Sequence, residues 1–390
     1  MIILSVNAGS SSLKFTGFEM PSEKVLISGV FERIGIDGAY TIKVNGEKIK
    51  KEANLDNHET AVKILIEELF NNNIVSSLDE IKAVGHRVVH GGDKYVKSTV
   101  VTEDVLKTIE ELIPLAPLHN PANLMGIKAF MEEIPNAVSV AVFDTGFTQT
   151  IPEENFLFAT PYEWYKDYGV RKYAFHGISH NYITNFMQKE LGKEDVNLIN
   201  CHLGNGSTVF AIKDGKCYNS SLGFSTNSGL IMGTRSGDID PFVIPFIMKQ
   251  SGMSYEEVLN ALNKKSGLLG VSGISSDSRD IEDGIKEGNE RCILAQKLFV
   301  NRVVEFIAKF WCSLKNVDAI CFSGGIGENS ILTRAQIIEG LSALGIILDE
   351  EANDVRGEFR LITKEGSSIP CYIVPTDEEV MIARDTFNLI

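Results

Sequence analysis

Two short stretches of glycine, serine and asparagine, each following an apolar run, are where this sequence first offers chemistry. Val6-Asn7-Ala8-Gly9-Ser10-Ser11-Ser12-Leu13-Lys14-Phe15 lines up with Cys201-His202-Leu203-Gly204-Asn205-Gly206-Ser207-Thr208-Val209-Phe210. Both run from a strand through a polar residue and a small-residue turn into another strand. A tight Gly/Ser hairpin turns backbone N–H groups outward, and such nests bind phosphate oxygens. Lys14 stands beside one turn and His202 beside the other. Ordinary turns use the same residues, so it is the matched pair that points to phosphate. A third cluster, Ser323-Gly324-Gly325-Ile326-Gly327-Glu328-Asn329, follows an apolar strand and precedes a helix expected to open near Thr333, with Gln336 at capping-box spacing. Its spacing is neither Walker A nor G-x-G-x-x-G. An adenosine-contacting turn is the better reading, because glycines between strand and helix let a nucleotide approach the backbone.

The cationic residues sit in unusual company. In Gly85-His86-Arg87-Val88-Val89-His90-Gly91-Gly92, strand periodicity puts Arg87 and Val89 on one face and the histidines on the other. A forked cation beside an apolar group suits a short carboxylate; a surface salt bridge with core histidines is the plainer alternative. Met232-Gly233-Thr234-Arg235-Ser236-Gly237-Asp238 places Arg235 in a small-residue loop with room for a ligand. Two such arginines can neutralise a phosphoryl group in transfer and its acceptor. His176 and His180 have i, i+4 spacing but lack the Glu of H-E-x-x-H, so His176 reads as a donor to phosphoryl oxygens rather than a zinc ligand. His119 lies in a proline-stiffened loop, and Asp144 ends an apolar strand, where α/β active-site groups are found and where turn-forming aspartates also occur. In Thr376-Asp377-Glu378-Glu379, a Thr376/Glu379 capping box would leave Glu378 free to meet Mg²⁺ through water together with Asn7.

Positioning these residues requires alternating strands and helices, the pattern of an α/β protein. Strands are expected at 2–6, 82–90, 138–143, 197–201, 208–212, 318–322 and 371–375. Helices are expected at 59–70, after Ser254 with its capping-box Glu257, and at 290–314, which is apolar nearly all round and so reads as buried. A chain of 390 residues exceeds what one core usually serves, and the hairpin repeat implies two similar domains. A net charge of −15 argues against a nucleic-acid partner and requires any anion site to be locally basic. The six cysteines form no C-x-x-C pair and read as reduced thiols of a cytoplasmic protein. Neither a signal-peptide pattern nor an apolar run of roughly 20 residues is present, so no membrane partner is expected.

Taken together, Asn7 to Phe15, Gly85 to Gly92, Leu118-His119-Asn120-Pro121, Phe143-Asp144-Thr145, Phe175-His176-Gly177, His202 to Gly206, Gly233 to Pro241 and Gly324 to Asn329 resemble the acetate kinase family, in order and across nearly the whole chain. The resemblance implies the acetate and sugar kinase/actin-like fold: two ribonuclease H-like domains, 1–148 plus 378–390 and 149–377, with an interdomain nucleotide cleft. It implies reversible phosphoryl transfer between ATP and acetate, Mg²⁺ dependence with Mn²⁺ as a substitute, ADP as the other nucleotide, and a homodimer; a kinase for propionate or another short-chain acid is the alternative. By motif position Arg87, Asp144, His176, Arg235 and His119 would be catalytic, and Val89, Leu118 and Phe175 would join Arg87 around the acid. Ser10, Ser12, Lys14, His202, Gly204, Asn205, Gly206, Asp277, Arg279, Gly324, Gly325, Gly327 and Asn329 would bind ATP and its phosphates, and Asn7 and Glu378 the metal. Two departures stand out: Thr226 where relatives have a proline lining the methyl pocket, and Ser278 where an apolar residue is common beside adenine.

Overall fold

The computed structural model describes residues 1–117 and 119–390; Leu118 lies outside the described residues. The chain divides into two compact units, Met1–Gln149 with Asp377–Ile390, and Thr150–Thr376. In the first unit the strands are β1 (Ile2–Gly9), β2 (Ser12–Glu19), β3 (Lys24–Glu32), β4 (Ala39–Val44), β5 (Glu47–Glu52), β6 (Ile81–Val88), β7 (Thr99–Val100) and β8 (Val138–Phe143). They form one sheet in the order β5-β4-β3-β2-β1-β6-β8-β7. β1 to β5 are an antiparallel meander, while β6 runs parallel to β1 and β8 parallel to β6.

The second unit holds β9 (Leu198–Leu203), β10 (Ser207–Lys213), β11 (Lys216–Ser220), β12 (Ala319–Ser323), β13 (Arg360–Leu361) and β14 (Cys371–Ile373), ordered β11-β10-β9-β12-β14-β13. The centre of each sheet repeats one plan. β3-β2-β1-β6-β8 and β11-β10-β9-β12-β14 are each an antiparallel three-stranded ribbon followed by two parallel strands, the ribonuclease H-like order expected. Parallel strands covered on both faces become nearly continuous apolar runs, and Ala319-Ile320-Cys321-Phe322 is buried at every position.

Helices cover the sheets through one-sided stripes. His58–Asn71, capped by the Asn57 side chain on the Thr60 N–H, buries Ala61, Val62, Leu65 and Leu69. Helix Glu290–Leu314 buries Ala295, Phe299, Val303, Ile307, Phe310 and Leu314 under the second sheet. It is not buried all round, because Leu294 and Leu298 remain 50% and 39% exposed. The Ser254/Glu257 capping box is present on Tyr255–Lys264.

Two other caps differ from expectation. The helix after the third glycine cluster spans Ile331–Gly340 and is capped by Ser330, which accepts from the Thr333 N–H. Thr333 and Gln336 instead receive the Gln296 amide. Glu378–Phe387 is capped by Asp377 on the Val380 N–H, because its carboxylate reaches the first turn; Thr376 hydrogen-bonds Ser179 and Glu379 pairs with Lys14.

Candidate active site

Each unit gathers its polar residues where its parallel strands end, the usual ligand position in α/β sheets. In the first unit, Arg87 stands near the end of β6 and Asp144 directly after β8. Arg87 donates to Asp144 Oδ2 through Nη2 at 2.6 Å and Nε at 3.2 Å. Glu378 Oε2 lies 4.0 Å from Arg87 Nε. Burial works against the Arg87 charge, but Asp144 and then Glu378 more than offset it, so its pKa rises. Burial raises Glu378 above the usual carboxylate range, Arg87 opposing and Asp144 and Glu379 adding to the shift. Asp144 is 1% exposed, yet its second oxygen, Oδ1, has no hydrogen-bond partner among the described residues.

β6 stops at Val88, so strand alternation does not carry Val89 onto the face of Arg87. The chain leaves the sheet there because two buried asparagines capture it: Val89 N–H donates to Asn123 Oδ1 and His90 N–H to Asn120 Oδ1. Asn123 also donates to Ala8 O, tying this segment to the end of β1. Val89 is buried, and half-buried His119 precedes helix Asn120–Glu133. Asn7 faces Lys14 across the β1–β2 ladder, and Lys14 pairs with Glu379, the neighbour of Glu378. Ser10 is exposed and Ser12 half-buried at that hairpin. His86 is buried against Phe130, 3.3 Å from Ser139 Oγ, and burial lowers its pKa to about 3.

The second unit brings together His176, His202 and Arg235. His176 and Ala174 both adopt left-handed backbone, with φ of 64° and 59°, a conformation that side-chain-bearing residues hold at a cost and that clusters at functional sites. Thr208 Oγ1 meets His176 Nδ1 at 3.2 Å and His180 Nε2 at 2.7 Å. His180 stacks on Phe210, and burial pushes its pKa well down. His202 Nδ1 meets Ser179 Oγ at 2.8 Å, and its ring lies 4.7 Å from that of His176. Phe175 is buried.

Gly206 lets the hairpin approach these groups closely: a Cβ there would lie 3.1 Å from His176 Cε1 and 3.9 Å from Arg235 Nη1, crowding the imidazole. Arg235 is half-buried and donates to Thr226 O at 3.1 Å. Burial lowers its pKa, and no salt bridge to it occurs among the described residues. In a chain of net charge −15, a partly desolvated arginine without a salt bridge among the described residues has the charge to receive an anion.

Beside it, Gly204 and Asn205 join Ser276, Asp277, Ser278, Arg279, Gly325, Ile326 and Asn329 around a cleft of about 590 Å³, within the range of small-molecule sites. Gly324 and Gly327 lie in the same short helix, Gly324–Asn329. Asp277 caps helix Ser278–Lys286 and binds Arg279, which holds its carboxyl down at about 2. The cleft also takes in Glu282, Ser330 and Arg356, which no motif had singled out. Arg334, wholly buried, explains how Arg356 is placed. It donates to the carbonyls of Gly327, Asn353 and Val355 and to Asn353 Oδ1, pinning the cleft helix to the 353–356 loop.

A model of the acetokinase family matches residues 2–384. Acetate kinase of Geobacillus sp. strain WCH70 is 53% identical over 390 residues, covering 99% of this chain and 98% of the relative. That of Bacillus subtilis strain 168 is 51% identical, covering 99% of both. Among solved structures, Porphyromonas gingivalis acetate kinase aligns with a TM-score of 0.94 at 42% identity, covering 100% of this chain and 99% of that one. A propionate kinase from Francisella tularensis aligns at 0.95 and 38% identity over 100% of both chains.

Proposed function

The chain belongs to the acetokinase family, and from that premise we propose that it transfers the terminal phosphoryl group of ATP to acetate, reversibly, giving acetyl phosphate and ADP. The observation that carries this reading is Arg235: a half-buried cation without a salt-bridge partner among the described residues, next to His176 and to a hairpin that also walls the 590 Å³ cleft. The nucleotide occupies that cleft, with Gly204, Asn205, Asp277, Arg279, Gly325 and Asn329 around it and Ser10, Ser12, Lys14, His202, Gly206, Gly324 and Gly327 serving its phosphates.

A carboxylic acid with a pKa of about 4 is already ionised at neutral pH, so the acceptor needs no strong base. A carboxylate oxygen of acetate attacks the terminal phosphorus in line as the bond to ADP breaks. Arg235 neutralises the phosphoryl oxygens, His176 donates to them with His119 in support, and Arg87 orients the acetate against Val89, Leu118 and Phe175. Catalysis then rests on positioning and charge neutralisation. The oxygen chemistry of the first unit fits Mg²⁺, since Asp144 Oδ1 is buried without a partner among the described residues, beside Glu378 and Arg87. Asn7 and Glu378 would hold the ion, or Mn²⁺ in its place, with Asp144 ordering its waters; when bound it neutralises nucleotide phosphate charge. Homodimerisation and a cytoplasmic location complete the reading. In support of the location, the cysteines are free, and no described helix is long and apolar enough to cross a membrane.

Propionate is the second reading, favoured by Thr226 at the Arg235 loop and by the likeness to the Francisella enzyme. Trapping acyl phosphate with hydroxylamine in parallel reactions of acetate, propionate and butyrate tests both. Acetate should give the highest kcat/KM. A higher value for propionate selects the second reading, and no ATP-dependent product from any acid overturns the kinase.

A further inference from the structure

A second cavity of about 370 Å³ in the Thr150–Thr376 unit is lined by Lys172, Ser220, Ser221, Ser228, Phe158 and Lys309 among others. None of these residues has a part in the chemistry above. Lys172 Nζ donates to Asn219 Oδ1 at 2.6 Å and Ser220 O at 2.9 Å, both uncharged. Two of its three protons are thus used, and no salt bridge to it occurs among the described residues. The serines are poised as donors too. Ser220, Ser221 and Ser228 Oγ each accept a backbone N–H, from Leu222, Val209 and Gly223, which leaves their own protons to give. The acidic lining residues, Glu154 and Asp238, are exposed, and Asp238 Oδ1 already receives the Gly229 N–H. Exposed Lys309 adds a second cation.

We propose that this cavity is a ligand site for the oxyanion group of a small metabolite, carboxylate or phosphate, bound by the Lys172 ammonium and the serine hydroxyls. Burial, reinforced by Lys309 and opposed less strongly by Cys217 and Asp238, lowers Lys172 to about 8, so the charge near the ammonium does not make up for its desolvation.

The cavity is wired to the catalytic groups through its wall. Gly223 O accepts the N–H groups of Tyr173 and Ala174, two residues before His176. Gly223 N–H donates to Ser228 Oγ, closing the loop whose Thr226 carbonyl holds Arg235. An occupant therefore steadies the loop that presents Arg235, and this coupling rests on the function proposed above.

Calorimetric titration of the full chain with sodium succinate and with sodium phosphate, without nucleotide or acetate, tests the site and separates the two sources. At least one probe should bind at one site with a Kd of millimolar or tighter, at least tenfold weaker in Lys172→Met and within twofold of wild type in Arg235→Ala. No binding by either probe, full affinity in Lys172→Met, or loss in Arg235→Ala would overturn it. Should Lys172→Met not fold, Lys309→Ala decides, with at least twofold weakening expected and unchanged affinity counting against the site. The probe that binds should also lower the KM for acetate at least twofold in wild type and not in Lys172→Met; an unchanged KM overturns the coupling. Acetyl phosphate formation without either probe reports separately on the kinase reading.

Discussion

The two arginines singled out for chemistry sit in opposite electrostatic circumstances, and that difference predicts different mutant behaviour. Arg87 is bound to a buried carboxylate, whereas Arg235 is held by the Thr226 carbonyl and the Met232 sulfur, both uncharged. Arg87→Ala strands Asp144 in the interior, so it should cost about 3–5 kcal/mol of stability as well as activity. Arg235→Ala removes an uncompensated charge. It should leave the urea midpoint nearly unchanged while kcat falls about 100-fold or more with ATP KM little altered. Equal destabilisation by both substitutions would contradict this distinction.

His86 sets a pH dependence. Folded, it stays neutral down to about pH 3, while the unfolded residue takes up a proton near 6.5. The unfolded state therefore binds more protons between these values, and stability falls on acidification by up to about 1.4 kcal/mol per pH unit. Urea titrations at pH 7, 6 and 5 should show a shallower loss in His86→Gln. Arg235 could be singled out from sequence because its small-residue neighbours are informative. Glu282, Ser330 and Arg356 could not, since only folding brings such separated residues to one cleft.

At the scale of elements, helix Ile331–Gly340 carries a clamp. Its Arg334 satisfies three backbone carbonyls and an amide oxygen in the interior, and burial lowers its pKa to about 10. Arg334→Met would leave those acceptors unpaired and should cost about 3 kcal/mol or more. Because one carbonyl belongs to the cleft helix and the others precede Arg356, the KM for ATP should rise well above that for acetate. Equal changes in both would argue for general loosening. Ser254→Ala is the contrast: it removes an exposed capping box and should cost about 1 kcal/mol with both KM values unchanged. Helix stripes and central strands were readable because apolar periodicity records burial directly. Cap positions were less so: at Ser330–Thr333 and Thr376–Asp377 adjacent residues can all cap, and the choice depends on partners such as Gln296 and Ser179 that are remote in sequence. The end of β6 at Val88 was hidden for the same reason, being set by Asn120 and Asn123.

For the whole molecule, the hairpin repeat foretold two sheets of one plan, and the shared strand order bears that out. The outer meander β3 to β5 was not foreseen: β4 does alternate, with Tyr40, Ile42 and Val44 buried, but β5, Glu47–Glu52, is a charged run with one apolar residue and carries no strand pattern. The first unit is assembled from two separated stretches of chain. Helix Glu378–Phe387 buries Val380, Met381, Ile382 and Ala383, and a Cβ at Gly85 in β6 would strike Thr386 and Ile382. Residues 1–376 should therefore fail to give a cooperative first unit, with loss of acyl phosphate formation, and an added 377–390 peptide should restore protection of β1 and β6 amides to exchange. Full protection without the peptide would show the helix to be dispensable. During synthesis the same arrangement sets an order: β1 to β8 emerge first, yet must wait until the whole second unit has been made before their closing helix exists. The earliest strands are thus the last to be finished. For that interval the apolar face of β6 lies open to chaperones and to neighbouring nascent chains, and the hazard of misassembly falls on the half of the protein translated first.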